Sequence, residues 1–164
     1  MTDSSPLKRD ERTKGTPMPV IDSPLVGTWA LQRFELRLPD GEITYPYGED
    51  VGGLLMYDPI GHMSAVFGSV KHPISAEVDL EKASANQSYD AFMSYCGPYE
   101  VHSDRIIHRV AVSSLEAWTG TVQERCFEIS GDLLTLETMP LVVGEASPIG
   151  RLMWRRLGAT QPAP

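Results

Sequence analysis

The sequence lacks a long apolar run, and it has only two cysteines. No stretch of its 164 residues approaches the roughly 20 apolar residues of a membrane-spanning helix, and the first twenty contain no apolar signal core. These absences argue against a membrane partner and against secretion, so we expect a cytoplasmic protein. In such a chain Cys96 and Cys126 are more often free and buried than paired.

An excess of basic residues is also missing. Lysine and arginine number 14 against 22 acidic residues, which gives a formal net charge of −8. Residues 1–23 carry four charges of each sign, so the negative excess belongs to the remainder of the chain. Because an acidic domain repels phosphate backbones, nucleic acid is not expected as a partner.

The composition predicts one domain between two disordered ends. Residues 1–23 combine charges of both signs with three prolines and few large apolar groups, which is typical of a disordered leader. Residues 159–164 are expected to form a disordered tail. The chain is 41% hydrophobic, enough for a single core, and we place that domain at residues 24–158.

Turn signals separate a series of β-prone runs. Ser103-Asp104 and Ser130-Gly131-Asp132 are tight connections, so the runs that they join should be antiparallel neighbours. The pattern predicts a mainly β fold, an eight-stranded antiparallel barrel, and eight strands give an interior that can just hold a small ligand. The predicted strands are residues 25–38, 53–57, 62–67, 99–102, 105–112, 119–129, 133–138 and 151–157.

One segment, residues 84–96, departs from the alternation of strands. Its apolar residues follow a helical spacing, at Ala85, Tyr89, Phe92, Met93 and Cys96. Ser84 and Gln87 form a capping box at the start, and Gly97-Pro98 is a typical helix stop. We therefore predict one helix between the third and fourth strands.

Several motifs resemble the lipocalin-like domain family of bacteria and fungi. They occupy residues 25–29, 61–65, 95–99, 107–108, 118–120 and 152–156. The resemblance implies a small barrel in which Trp29 fills the closed end and an arginine of the last strand lies across its ring, a cation–π contact. It also implies an enclosed small apolar molecule, and some similar proteins serve natural-product pathways.

Alternation identifies polar side chains that should point into the barrel. His108 should share the inward face with Ile106 and Val110, and Gln123 and Arg125 should share it with Phe127. A buried polar group without a partner costs about 1–3 kcal/mol, so a ligand carboxylate, enol or ketone oxygen is a candidate partner. The alternative is structural: His108 bonds Gln123 or water, and Arg125 meets an acid.

Aromatic residues and the other histidines extend this hypothesis. The candidate ring around a cavity mouth, or alternatively ordinary core, is formed by Tyr57, Tyr95, Tyr99 and Trp118. His62 is expected at a turn or at the pocket rim, and His72 and His102 in solvent. No short metal-ligand spacing, phosphate loop or nucleophile elbow is found, so we expect no metal and no cofactor.

Two functions from different classes fit the sequence. The first is binding of a small hydrophobic or aromatic molecule with a polar end inside the barrel. The second is a cofactor-free cyclase, isomerase or dehydratase of a natural-product pathway, acting on a polyketide-like or terpenoid intermediate. In the enzyme, His108 or a tyrosine would be the catalytic group, because imidazole titrates near neutrality. The oligomeric state is left open.

Overall fold

The computed structural model describes residues 20–70, 92–140 and 147–158. Strands dominate this part of the chain, and its single helical element is a 3₁₀ helix at Glu116–Trp118. None of these residues belongs to a helix with the length and apolar character needed to cross a membrane. The strands are β1 (Gly27–Arg37), β2 (Ile43–Thr44), β3 (Val51–Tyr57), β4 (His62–Ser69), β5 (Phe92–Val101), β6 (Arg105–Arg109), β7 (Val112–Ser113), β8 (Val122–Ser130), β9 (Leu133–Thr138) and β10 (Ile149–Arg156).

Eight of these strands pair into a closed antiparallel ring. The hydrogen-bonded order runs β1-β3-β4-β5-β6-β8-β9-β10, and β10 pairs again with β1. β2 pairs only with the end of β1, and β7 only with β5. Each of the eight predicted strands overlaps one strand of the ring, so the predicted antiparallel order is confirmed, with two short strands added.

A β-bulge in β1 divides this strand into two halves. Its pairing with β10 shifts register between Leu31 and Arg33. Before the bulge Trp29 and Leu31 are buried in the core, whereas after it Phe34 and Leu36 line the interior. Because side chains alternate between faces, one extra residue moves the inward set from odd to even positions.

The prediction of a helix at residues 84–96 is wrong for residues 92–96, which belong to β5. The buried positions alternate at Tyr95, Gly97, Tyr99 and Val101, the period of a strand rather than of a helix. Residues 84–91, which include the proposed capping box, lie outside the described residues.

The Gly97-Pro98 pair is not a helix stop but part of β5. A Cβ at Gly97 would lie 1.9 Å from the carbonyl oxygen of Arg109, so the close approach of this backbone requires glycine. Pro98 is exposed opposite His62. Gly97 and Pro98, residue types that often end helices, are therefore accommodated here within a strand.

Two smaller features concern the start of the domain and the thiols. Residues 20–23, which the sequence assigns to the leader, form a turn in which the Ser23 amide donates to the Val20 carbonyl, 2.9 Å away. Val20 packs against the core. Cys96 and Cys126 are free, and Cys126 is exposed rather than buried.

Candidate functional site

A cavity of about 210 Å³ is lined by inward-facing side chains of the ring. Pockets for drug-sized ligands typically have volumes of about 300–1,000 Å³, so this smaller cavity suits a small molecule. The wall is mainly apolar, and its described residues include neither a carboxylate nor a histidine. The lining residues are Phe34, Leu36, Pro46, Tyr47, Leu55, Phe67, Met93, Tyr95, Trp118, Arg125, Leu136, Thr138, Leu152 and Trp154.

Among the described lining residues, Arg125 contributes the one charged group. It is 5% exposed, and β8 places it directly opposite Thr138 of β9. Its Nη1 donates to the Glu124 carbonyl at 2.9 Å, and Nη1 and Nη2 lie 3.5 and 3.4 Å from Oε1 of Gln123. Within residues 20–70, 92–140 and 147–158 no carboxylate lies within ion-pair distance of it. A buried cation without a counter-ion is costly, and this one has only neutral partners.

Trp118 connects the polar groups of the cavity wall. The ring centroids of Trp118 and Tyr95 are 5.5 Å apart in an edge-on arrangement, and the Arg125 guanidinium carbon lies 5.7 Å from the Trp118 centroid. The 3₁₀ helix that carries Trp118 begins after Leu115 and precedes β8. Tyr95, Trp118 and Arg125 therefore form one contiguous patch, and all three are among the eight predicted binding residues.

Behind this wall His108 holds two tyrosines. Its Nε2 is 2.8 Å from the Tyr57 hydroxyl, and its Nδ1 is 3.2 Å from the Tyr95 hydroxyl. His108 is fully buried. Burial, and secondarily the charge of Arg125, lower the pKa of His108 to about 3, so the imidazole is neutral near pH 7.

His108 therefore lies inside the ring, but it does not line the cavity. Tyr95 lies between them, since it bonds His108 and also lines the wall. Burial raises the pKa of Tyr95, while the positive charge of the neighbouring Arg125 and hydrogen bonding to it lower that pKa in part. The hydroxyl of Tyr95 is thus protonated near neutrality.

The remaining predicted binding residues also lie outside the cavity wall. Tyr57 and Tyr99 are core residues with ring centroids 4.8 Å apart, and the Tyr99 hydroxyl donates to the Asp58 carbonyl at 2.8 Å. Gln123 accepts from Arg125 and donates to the Thr121 hydroxyl at 3.0 Å. Phe127 is half-buried and packs against the core. These residues support the wall rather than form it.

Several wall residues were not predicted. No inward face was predicted for the first strand, in which the bulge turns Phe34 and Leu36 toward the cavity. Thr138 follows Leu134 and Leu136 at a spacing of two, so strict alternation along β9 was a usable signal for it. Trp154 lines the cavity, and its buried indole N–H has no partner among the described residues.

The other described histidines, His62 and His102, do not line the cavity. His62 is exposed beside the β3–β4 turn. His102, expected in solvent, is largely buried, and its Nε2 lies 3.6 Å from a carboxylate oxygen of Glu100. His72 lies outside the described residues. In the described part of the chain no three His, Cys, Asp or Glu residues are grouped as a metal site would need.

Comparisons with known proteins relate this chain to a family and to a fungal protein. A family model described as a lipocalin-like domain matches residues 26–157. The chain is also similar to the 4'-hydroxy-3'-methoxypropiophenone carrier protein of Aspergillus oryzae, with 38% identity over 88 residues. That alignment covers 48% of this chain and 77% of the relative.

Proposed function

We propose, from the premise that this chain belongs to the lipocalin-like domain family, that it binds a small hydrophobic or aromatic molecule with a polar end. The apolar part of the ligand would occupy the cavity, and its polar end would meet Arg125. The protein would act as a carrier that shields the ligand from water.

The observation that carries this proposal is the buried guanidinium of Arg125 in an otherwise apolar cavity. Its hydrogen bonds to a carbonyl and an amide oxygen leave its charge uncompensated by any carboxylate in the described part of the chain. Removing a cation from water is costly unless a partner returns that free energy. A ligand oxygen beside Arg125 would be such a partner.

The similar fungal protein supports the same chemistry. Its name describes a carrier of an aromatic ketone that also bears a phenol and a methoxy group. A flat ring fits a wall rich in aromatic side chains, and an oxygen at one end fits the guanidinium. Aromatic ketones are therefore the first ligands to test.

The enzymatic alternative has weaker support from the geometry. His108, the predicted catalytic group, is separated from the cavity by Tyr95, and its lowered pKa keeps it uncharged near neutrality. The described wall contains no carboxylate or imidazole to act as a base. A cyclase, isomerase or dehydratase would have to rely on a tyrosine of the described wall, Tyr47 or Tyr95, as its proton-transfer group.

Thermal unfolding with and without ligand tests the binding proposal. The probe is 4'-hydroxy-3'-methoxypropiophenone, and a ligand at 100 times its Kd stabilises a protein by about 2.7 kcal/mol. We expect a concentration-dependent rise in Tm for the wild-type protein. The proposal would be contradicted if Tm did not rise at the solubility limit of the probe and did not rise with unsubstituted aromatic ketones either.

A matched pair of tryptophan variants shows where the probe binds. Leu36 lines the cavity, so Leu36→Trp should fill it and abolish the rise in Tm. Leu54 is 43% exposed on the outside of β3, so Leu54→Trp should leave the rise intact. If both variants left the rise in Tm intact, the probe would bind outside the cavity.

A further inference from the structure

The direction of the hydrogen bonds around His108 follows from the surroundings of Tyr57. The Tyr57 side chain is 2% exposed, and its hydroxyl has His108 as its single hydrogen-bond partner in the described structure. If Nε2 carried the proton, the buried O–H of Tyr57 would have no acceptor, and an unpaired buried donor costs about 1–3 kcal/mol. The Tyr57 hydroxyl therefore donates to Nε2.

This direction fixes the tautomer of the neutral imidazole. One ring nitrogen of a neutral histidine accepts and the other donates, so Nδ1 carries the proton and donates to the Tyr95 oxygen. The charge of the neighbouring Arg125 also acts on the Tyr95 hydroxyl, and a guanidinium carries donors but no acceptor. With Nδ1 donating to its oxygen and no acceptor beside it among the described residues, the Tyr95 hydroxyl has its proton left for an acceptor in the cavity.

Other polar groups of the wall have the same donor character. The Thr138 hydroxyl oxygen already accepts from the Gly150 amide at 2.9 Å, which leaves its proton available. Two of the five N–H groups of the Arg125 guanidinium are not used by its three hydrogen bonds. These described groups of the wall therefore offer the cavity mainly donors.

We infer that the cavity selects ligands by an oxygen that only accepts hydrogen bonds, such as a ketone carbonyl, and that Tyr95 and Arg125 donate to it. His108 and Tyr57 are positioning residues: they fix the direction in which Tyr95 donates and do not touch the ligand. This inference rests on the proposed function, because it names the ligand chemistry and the selecting residues of the same cavity.

Nitrogen NMR of the imidazole tests the direction of the hydrogen bonds without any ligand. In ¹⁵N-histidine-labelled protein, with His108→Gln used to assign the signal, we expect the proton of His108 on Nδ1. A proton on Nε2 would overturn the inference. Tyr57→Phe removes the donor to Nε2 and should lower the population of the Nδ1–H form.

Three probes with one carbon skeleton test the selection itself: acetophenone, 1-phenylethanol and ethylbenzene. One neutral hydrogen bond changes affinity by about two- to tenfold. We therefore expect acetophenone to bind at least about twofold more tightly than 1-phenylethanol or ethylbenzene. The carbonyl stretch of ¹³C-labelled acetophenone should move to lower frequency on binding to the wild-type protein.

Two tyrosine-to-phenylalanine variants complete the test. Tyr95→Phe should reduce the preference for acetophenone and reverse much of the carbonyl shift. Tyr99→Phe is the matched control, because the Tyr99 hydroxyl donates to the Asp58 carbonyl and lies outside the wall, so it should change neither readout. Equal affinity for all three probes would overturn the selection while leaving the binding function intact. Failure of all three to bind would instead contradict the proposed function.

Discussion

The guanidinium carbon of Arg156 lies 4.0 Å from the ring centroid of Trp29, and this contact joins the last strand of the ring to the first. Nη1 of Arg156 also donates to the Val26 carbonyl at 2.8 Å. A Cβ at Gly27 would lie 2.8 Å from the same Nη1, so glycine at this position leaves room for the guanidinium. The cation–π contact that the family resemblance implied is confirmed.

Replacing Arg156 should reduce stability without affecting the cavity. Arg156→Met keeps most of the side-chain volume but removes the cation–π contact and the hydrogen bond to Val26, so we expect a loss of about 1–3 kcal/mol in the free energy of unfolding. Urea unfolding measures this loss. Arg156→Lys keeps the charge, so its free energy of unfolding should lie between those of the wild-type protein and Arg156→Met. An unchanged free energy of unfolding for Arg156→Met would contradict the prediction.

Replacing Arg125 should weaken ligand binding but not destabilise the fold. Arg125→Met removes a buried charge that no carboxylate of the described residues compensates, so the free energy of unfolding of the ligand-free protein should rise by up to about 1–2 kcal/mol. The affinity for an aromatic ketone should fall about tenfold or more, because a charge-assisted hydrogen bond is lost. Chemical unfolding and ligand titration provide the two measurements. A destabilised ligand-free variant with unchanged affinity would assign Arg125 a structural role.

Neutral, buried His108 should make stability depend on pH. Its pKa is about 3 in the folded protein and 6.5 as the reference value, so between these values the unfolded chain binds the extra proton. The contribution is complete above about pH 6.5 and decreases by up to about 1.4 kcal/mol per pH unit as the pH falls. Burial raises the pKa values of Tyr57 and Tyr95, so both tyrosines that bond the imidazole stay protonated in this window, and the imidazole also faces the positive charge of Arg125.

The measurement compares the wild-type protein with His108→Gln at pH 7 and pH 5. Surface carboxylates contribute equally to both proteins, so the difference between their slopes isolates His108. We expect the variant to be less stable at pH 7 but to lose less stability on acidification. Parallel slopes would show that His108 is not held neutral by the fold.

Gly97 should tolerate no side chain. Because a Cβ there would meet the Arg109 carbonyl oxygen at 1.9 Å, Gly97→Ala must separate β5 from the end of β6 and should cost about 3 kcal/mol or more. Gly158→Ala is the control, since nothing lies within 4 Å of its Cβ position, and it should change stability by less than about 0.5 kcal/mol. Similar effects of the two changes would contradict this account of Gly97.

The sequence predicted the ring and the inward faces of β6 and β8 because period-two patterning and tight turns were unbroken there. His108 and Arg125 are both buried at the positions that alternation assigned to them. Alternation predicts which side chains point inward, but not which inward side chains line the cavity. It therefore did not show that Tyr95 would separate the imidazole from the cavity.

The start of β5 was misjudged for a physical reason. Phe92 and Cys96, two of the residues on which the helix prediction rested, are four residues apart, a spacing that suits one face of a helix and, equally, one face of a strand. Pairing with β4 on one side and with β6 and β7 on the other decides for the strand. Such tertiary hydrogen bonds leave no local trace in the sequence.

The bulge between Leu31 and Arg33 separates two tasks along a single strand. Trp29 and Leu31, on one side of it, pack in the core near the Arg156 contact, whereas Phe34 and Leu36 shape the cavity. Substitutions after the bulge can therefore alter ligand preference while the residues that close the ring stay the same. Relatives with different cargoes can diverge at these two positions without rebuilding the scaffold.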